Sequence, residues 1–169
     1  HQIYSCGLIV AENLLKRLAL WSVRFTPLTA IDLPDGLLLD VSGCSHLWGG
    51  DLKYIQEIES RLRERGYQLR IAMADTIGAA WAMSRFGNPP SVIQNGKQTE
   101  ALLSLPSASL RLPVETTELL HKLGLHRVKD FIFLPRFSLR RRFGQILLQR
   151  IDQAFGNEME NMDPVRSPE

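Results

Sequence analysis

Two short apolar runs, residues 29–33 and 37–41, are separated only by Pro34-Asp35-Gly36. Pro presets φ, Asp accepts a local hydrogen bond, and Gly tolerates the left-handed region, so the triplet predicts a tight turn between two strands. A hairpin needs other elements to cover it, and the flanking sequence supplies them. Residues 12–25 carry Leu14, Leu15, Leu18, Trp21 and Phe25 at three- and four-residue steps, the period of an amphipathic helix ended by Pro27. Residues 43–50 read as a loop. Residues 51–65 predict a second helix, with Asp51 as N-cap, Leu52, Ile55, Ile58 and Leu62 on the buried face, and Gly66 as its stop. Residues 68–74 alternate, with Leu69, Ile71 and Met73 on one side, and predict a strand. Asp75 or Thr76 then caps a helix running to about residue 86. The order helix, strand, strand, helix, strand, helix is part of a split β-α-β layer of the ferredoxin-like type. The expected fold class is therefore α+β, with a partial ferredoxin-like layer first.

Residues 87–96 read as a loop or linker. Beyond about residue 99 the pattern is helical, with no clear strand, which places a boundary near 98–106. The polar tail from residue 157, with Pro164 and Pro168, reads as a linker to a further domain. The chain starts at His1, which suggests a segment of a longer protein. With 44% hydrophobic and 22% charged residues it is globular rather than disordered. No apolar run approaches the ~18 residues of a membrane span, and no charged start followed by an apolar block marks a secretion signal. Cys6 and Cys44 are the only cysteines, so no disulfide framework is expected and a reducing, cytoplasmic setting is.

The modest net charge of +2 conceals an asymmetry. Residues 121–150 hold eight Lys or Arg (Lys122, Arg127, Lys129, Arg136, Arg140, Arg141, Arg142 and Arg150) against one acid, Asp130, so the remainder is net acidic. A charge run is most often a solvated face. Its place within a motif argues for more. Around Leu123-Gly124-Leu125, the residues Leu119, Leu120, Leu123, Leu125, Val128 and Phe131 form an apolar skeleton for two short helices. A Gly there permits a sharp hairpin and the approach of backbone N–H groups to a phosphate. A looser second copy has Gly144 at its hairpin, with Arg140, Arg141 and Arg142 just before it and Gln145 just after. Two such helix-hairpin-helix units grip nucleic-acid backbone without reading sequence. The candidate backbone-binding residues are Lys122, Gly124, His126, Arg127, Arg140, Arg141, Arg142, Gly144 and Gln145.

Elsewhere the plain reading prevails. Cys44 and His46 lack a second ligand pair for zinc. His121 and His126 flank the hairpin as surface polar residues. Trp21, Trp48 and Trp81 are dispersed and read as packing residues. Asp40, within a buried strand, reads as an acceptor of local hydrogen bonds. No Walker-type phosphate loop and no G-x-S-x-G elbow occurs.

The order of these parts resembles the Y-family, or translesion, DNA polymerases: the later palm followed by a helix-hairpin-helix thumb. Within that family it is most similar to the polymerase-like accessory proteins of bacterial damage-induced mutagenesis. The resemblance covers about residues 8–156. It rests on LALWSVRFTPLTAIDLPDGLLLDVSGCSHLWGG, on ADTIGAAWAMSRFG, and on LHKLGLHRVKDFIFLPRFSLRRRFG with the closing DQAFG. It implies a palm fragment over 1–98 that includes the helix returning from the fingers, a thumb over 99–156, and a linker over 157–169. Active members carry Ser-Ile-Asp-Glu-Ala before a strand ending Leu-Asp-Val. Leu39-Asp40-Val41 matches that ending, so Asp35 falls on the family's Asp and Gly36 on its Glu. The family's Asn-Lys falls on Gly78 and Ala79, and its second Lys on Met83. The family's first palm strand, which carries a further acid, is expected to be absent from this chain.

Two-metal phosphoryl transfer needs carboxylates for the ions and cations for the triphosphate. The departures at positions 36, 79 and 83 therefore imply a non-catalytic protein, with Asp35 a vestigial residue, no bound metal and no cofactor. The implied partners are DNA, the sliding clamp, an error-prone polymerase and a RecA-like protein, in the bacterial cytoplasm at the nucleoid and with no membrane contact. Two alternatives stand beside this reading. One is a divergent, active Y-family polymerase using Asp35 and Mg²⁺. The other is an interaction scaffold that has lost DNA binding.

Overall fold

The computed structural model describes residues 3–7 and 12–165. Five strands form one sheet: β1 (Ile3–Gly7), β2 (Leu28–Asp32), β3 (Gly36–Asp40), β4 (Arg70–Ala74) and β5 (Ser91–Val92). Their order is β2-β3-β1-β4-β5. The first four pair antiparallel, and β5 pairs parallel to β4. With the helices α1 (Glu12–Ser22) and α2 (Asp51–Glu64), the first four strands make a complete β-α-β-β-α-β unit. The sequence reading had found only part of it. The central strand β1 is five residues long, too short and mixed to show an alternating pattern, and β5 lies in what reads as a linker.

β3 explains its own sequence. Leu37 and Leu39 face the core under α1 and α2, while Leu38 joins Ala30 and Ile77 on the opposite face. A strand buried on both sides reads as a continuous apolar run. Under α1 and α2, Leu15, Leu18, Ile55, Ile58, Leu62, Ile71 and Met73 complete the first core. Each such side chain contributes about 1.5–3 kcal/mol by leaving water. Helix α1 ends at Ser22, whose hydroxyl donates to Leu18 O (2.8 Å), rather than at Phe25. Two details of α2 differ from expectation. Gly50, not Asp51, is its N-cap, and Tyr54 rather than Leu52 lies on the buried face; Leu52 is exposed. Tyr54 earns that place because its hydroxyl reaches Phe25 O while its ring stacks on Trp48. Gly66 closes α2 as predicted: Gly66 N–H donates to Arg63 O and Tyr67 N–H to Leu62 O.

Helix α3 (Ile77–Phe86) covers the other face of the sheet. Thr76 caps it, accepting from Ala79 N–H (3.1 Å). The helical part follows: α4 (Gln98–Leu103), a 3-10 turn (Ser107–Leu110), α5 (Val114–Lys122), α6 (Val128–Phe131), α7 (Arg136–Phe143) and α8 (Gln145–Phe155). A second core joins these to α3: Ala79, Ala80 and Ala82 pack with Leu102, Leu120, Val128, Phe131, Leu139, Leu147 and Ile151. A Cβ on Gly78 would lie 2.9 Å from Ala154 Cα, so α3 and α8 meet backbone to backbone. Beyond α8 the chain turns back. Val165 N–H donates to Thr29 O (2.7 Å), and Pro164 bridges to Ala30 at the sheet edge.

Candidate functional site

The first hairpin joins α5 to α6. Leu120, Val128 and Phe131 are fully buried, whereas Leu119 and Leu123 of the expected skeleton are largely exposed. Gly124 adopts φ 74°, the left-handed conformation that the turn demands. Its N–H donates to His121 O (3.0 Å) and that of Leu125 to Leu120 O (2.9 Å), closing α5. Arg127 N–H donates to the Asp130 carboxylate (2.8 Å) and Val128 N–H to Leu105 O (3.0 Å). The backbone donors of residues 124, 125, 127 and 128 thus bond within the chain. What this hairpin offers outward is side chains: Lys122, His126, Arg127 and Lys129 are exposed. The Arg127 guanidinium also donates to Ser104 O (3.3 Å), and the His121 and His126 rings lie 5.0 Å apart.

The second hairpin is tighter. Gly144 alone separates α7 from α8, at φ 82° and ψ 174°. Leu139, Phe143, Leu147, Leu148 and Ile151 hold the two helices together from inside. Arg140, Arg141 and Arg142 project outward, exposed, and Gln145 stands exposed at the start of α8. Two members of the basic run belong elsewhere. Arg136 forms a bidentate pair with Asp152 (2.9 and 2.6 Å), and Arg150 turns to Glu160 (3.3 Å) and Gln153 (3.1 Å). Sequence reasoning passed over Phe133 and Phe137, 78% and 76% exposed beside the arginines. The signal was present: Phe137, Arg140 and Arg141 are spaced three and four apart, on one helical face.

At the tip of the β2–β3 hairpin, Asp32 pairs with Gly36 across a loop of Leu33, Pro34 and Asp35. Gly36 does not have positive φ, so the turn is not what selects it. Space is. A Cβ there would lie 2.9 Å from Arg85 Nη2 and 3.1 Å from both Asp32 O and Asp32 Oδ2. Arg85, reaching over from α3, donates to Asp35 Oδ1 (2.9 Å) and lies 3.4 Å from Asp32 Oδ2. Its guanidinium stacks over the Trp81 ring, 4.4 Å from the centroid. Burial pushes the Asp32 carboxyl above the usual carboxylate range, and the Arg85 and Arg111 charges pull it back only in part. Asp40, as expected, accepts locally, from Ser42 N–H (3.0 Å).

The residues at this tip do not fit a pair of divalent ions. Among the described residues no group of three or more His, Cys, Asp or Glu converges on one point. Mg²⁺ requires near-octahedral oxygen ligation at about 2.0–2.1 Å, yet Asp32 and Asp35 face a fixed cation. The positions on which the resemblance sets the family's Asn-Lys and second Lys are committed to packing: Ala79 is fully buried, Gly78 abuts α8, and Met83 packs on the second core. A groove of about 380 Å³ lies apart from both places, lined by Leu28, Ile77, Met159 and Met162 among others.

No family model matches the chain. It is 47% identical over 146 residues to Protein ImuB of two strains of Caulobacter vibrioides, covering 86% of this chain and 32% of each relative. The chain thus spans about a third of the length of the curated relatives it matches. Among solved structures, it superimposes on DinB from Sulfolobus solfataricus (TM-score 0.66, 16% identity, 90% of this chain and 47% of that one). An insertion ternary complex of Dbh DNA polymerase gives a TM-score of 0.67 at 14% identity, over 89% of this chain and 46% of that one. A post-insertion binary complex of the same polymerase gives 0.64 at 18%, over 90% and 46%. In sequence the chain is similar to ImuB, and in fold it has the palm-and-thumb arrangement of the Y-family DNA polymerases.

Proposed function

We propose that this chain is the palm-and-thumb part of a non-catalytic, polymerase-like protein that grips DNA backbone during damage-induced translesion synthesis. The observation that carries the reading is the exposed run Arg140, Arg141 and Arg142 at the Gly144 hairpin, with no ion pair among the described residues, together with Lys122, Arg127 and Lys129 exposed at the first hairpin. Exposed cations at hairpins suit phosphates, which fix position but carry no sequence information. The similarity to ImuB and the polymerase fold support the same direction. Absence of catalysis rests on Gly36, Ala79 and Met83, which supply neither carboxylate nor cation. By the same resemblance, the full-length protein acts as an accessory or hub, with the sliding clamp, an error-prone polymerase and a RecA-like protein as partners in the cytoplasm. No helix among the described residues is long and apolar enough to cross a membrane.

Duplex binding by the full-length protein, measured across a salt series, tests this reading. If roughly four to six phosphates are neutralised, the slope of log K against log salt is roughly −4 to −5. Replacing Arg140, Arg141 and Arg142 by Ala should reduce its magnitude by roughly 2.5–3. An unchanged slope would favour a scaffold without DNA binding. Primer extension with Mg²⁺ or Mn²⁺ should yield no product. Robust extension abolished by Asp35→Ala would instead establish an active polymerase.

A further inference from the structure

We infer that Arg85 takes the place of the divalent cation at the hairpin tip, so that this chain fills its own former metal position with a guanidinium. The inference rests on the non-catalytic reading and gives it a physical cause. The geometry is specific. Arg85 Nη2 approaches Asp35 Oδ1 at 2.9 Å and Asp32 Oδ2 at 3.4 Å, bridging two carboxylates from the two ends of one loop, as a metal ion would. The arginine side chain is only 17% exposed and its plane is fixed over Trp81. A guanidinium stays protonated at every physiological pH, presents donors and no acceptor, and so offers nothing to a metal while repelling it.

The same contact accounts for Gly36. The space that a side chain at position 36 would enter is taken by Arg85 Nη2, 2.9 Å from the ideal Cβ. A side chain at 36 would displace the Arg85 guanidinium from its present place between the two carboxylates. Loss of the acid and gain of the internal cation are therefore one coupled change involving residues 36 and 85, rather than a deletion that leaves an open site. The bridge also ties the β2–β3 loop to α3. The tip becomes a structural ion triad, Asp32–Arg85–Asp35, that works without metal.

A double-mutant cycle at positions 36 and 85, in the full-length protein, tests the coupling. Gly36→Ala should lower Tm more in the wild-type background than in the Arg85→Ala background. Independent effects of the two substitutions would overturn the inference. Metal binding supplies the second readout, with free Mn²⁺ followed by electron paramagnetic resonance. Wild type and Gly36→Glu should show no binding that depends on Asp35. Gly36→Glu combined with Arg85→Ala should bind Mn²⁺ at least about tenfold more tightly than either, and Asp35→Ala should remove the gain. Asp35-dependent Mn²⁺ binding by wild type would overturn the inference, as would a folded double variant with no gain. Primer extension by wild type would instead defeat the non-catalytic reading, so the two failures are distinguishable.

Discussion

At the scale of single residues, the informative positions are those whose chemistry contradicts their apparent role. Gly36 reads as a turn glycine, yet its backbone has no positive φ and its lack of a side chain makes room for Arg85. Gly78, on which the resemblance sets the family's Asn, is the point where α3 meets Ala154. Asp32 is a carboxylate whose burial outweighs the pull of two nearby guanidinium groups, so its folded pKa lies above the ordinary value of 3.8. A raised carboxylate pKa means that the charge costs stability near neutrality. The associated stability is complete below the unfolded value and is lost as pH rises through the folded one. Asp32→Asn should therefore be at least as stable as wild type at pH 7, with the advantage shrinking as pH falls through the raised folded value toward 3.8. Thermal unfolding of both proteins across that range checks the sign; a variant less stable at pH 7 and equal in acid would reverse it.

At the scale of elements, the two hairpins solve the same problem differently. The α5–α6 turn spends the amides of Gly124 and Leu125 on closing α5, and those of Arg127 and Val128 on Asp130 and Leu105 O. The α7–α8 junction has one linking residue, and Gly144 holds φ 82° with ψ 174°, a region that only glycine enters at low cost. Gly144→Ala should destabilise the protein by about 1–3 kcal/mol. It should also shift the Arg140–Arg142 face and weaken DNA binding, which chemical denaturation and binding on one sample would report. The helices themselves were legible in advance because three- and four-residue apolar spacing marks α1, α2 and α8 directly. The cap of α3 was legible only as Asp75 or Thr76, both good N-cap residues, and the structure assigns it to Thr76. β1 and β5 were not legible, since Ile3–Gly7 shows no apolar alternation and β5 has only two residues.

At the scale of the whole molecule, α3 belongs by position to the sheet and by packing to the helical half. The returning tail reinforces the join. Glu160 forms a bidentate pair with Arg111 (2.6 and 2.6 Å) and also meets Arg150 (3.3 Å), while Arg111 holds the left-handed φ of 56° that a side chain rarely adopts. Burial pushes the Arg150 guanidinium below its ordinary pKa, with Arg111 acting in the same direction and Glu160 against both. Removing that acid leaves two cations facing each other in a half-buried place. Glu160→Gln should cost about 1–3 kcal/mol and speed hydrogen exchange at Val165, whose amide bonds to Thr29 O. A neutral effect on both would show that the tail does not brace the two halves.

The sequence alone determined the hairpin, the amphipathic helices, the basic block with its two turn glycines, and the absence of an acid at position 36. These are local facts, set by backbone sterics, by residue period and by charge. Only the tertiary structure decided what those facts meant. It completed the sheet with β1 and withdrew Arg136 and Arg150 from the basic face by pairing them with acids. It also brought Arg85, 53 residues from Asp32 in the chain, to the hairpin tip. Long-range ion pairs leave no period in a sequence; they arise only when packing brings distant charges together in a place too dry to leave them unpaired.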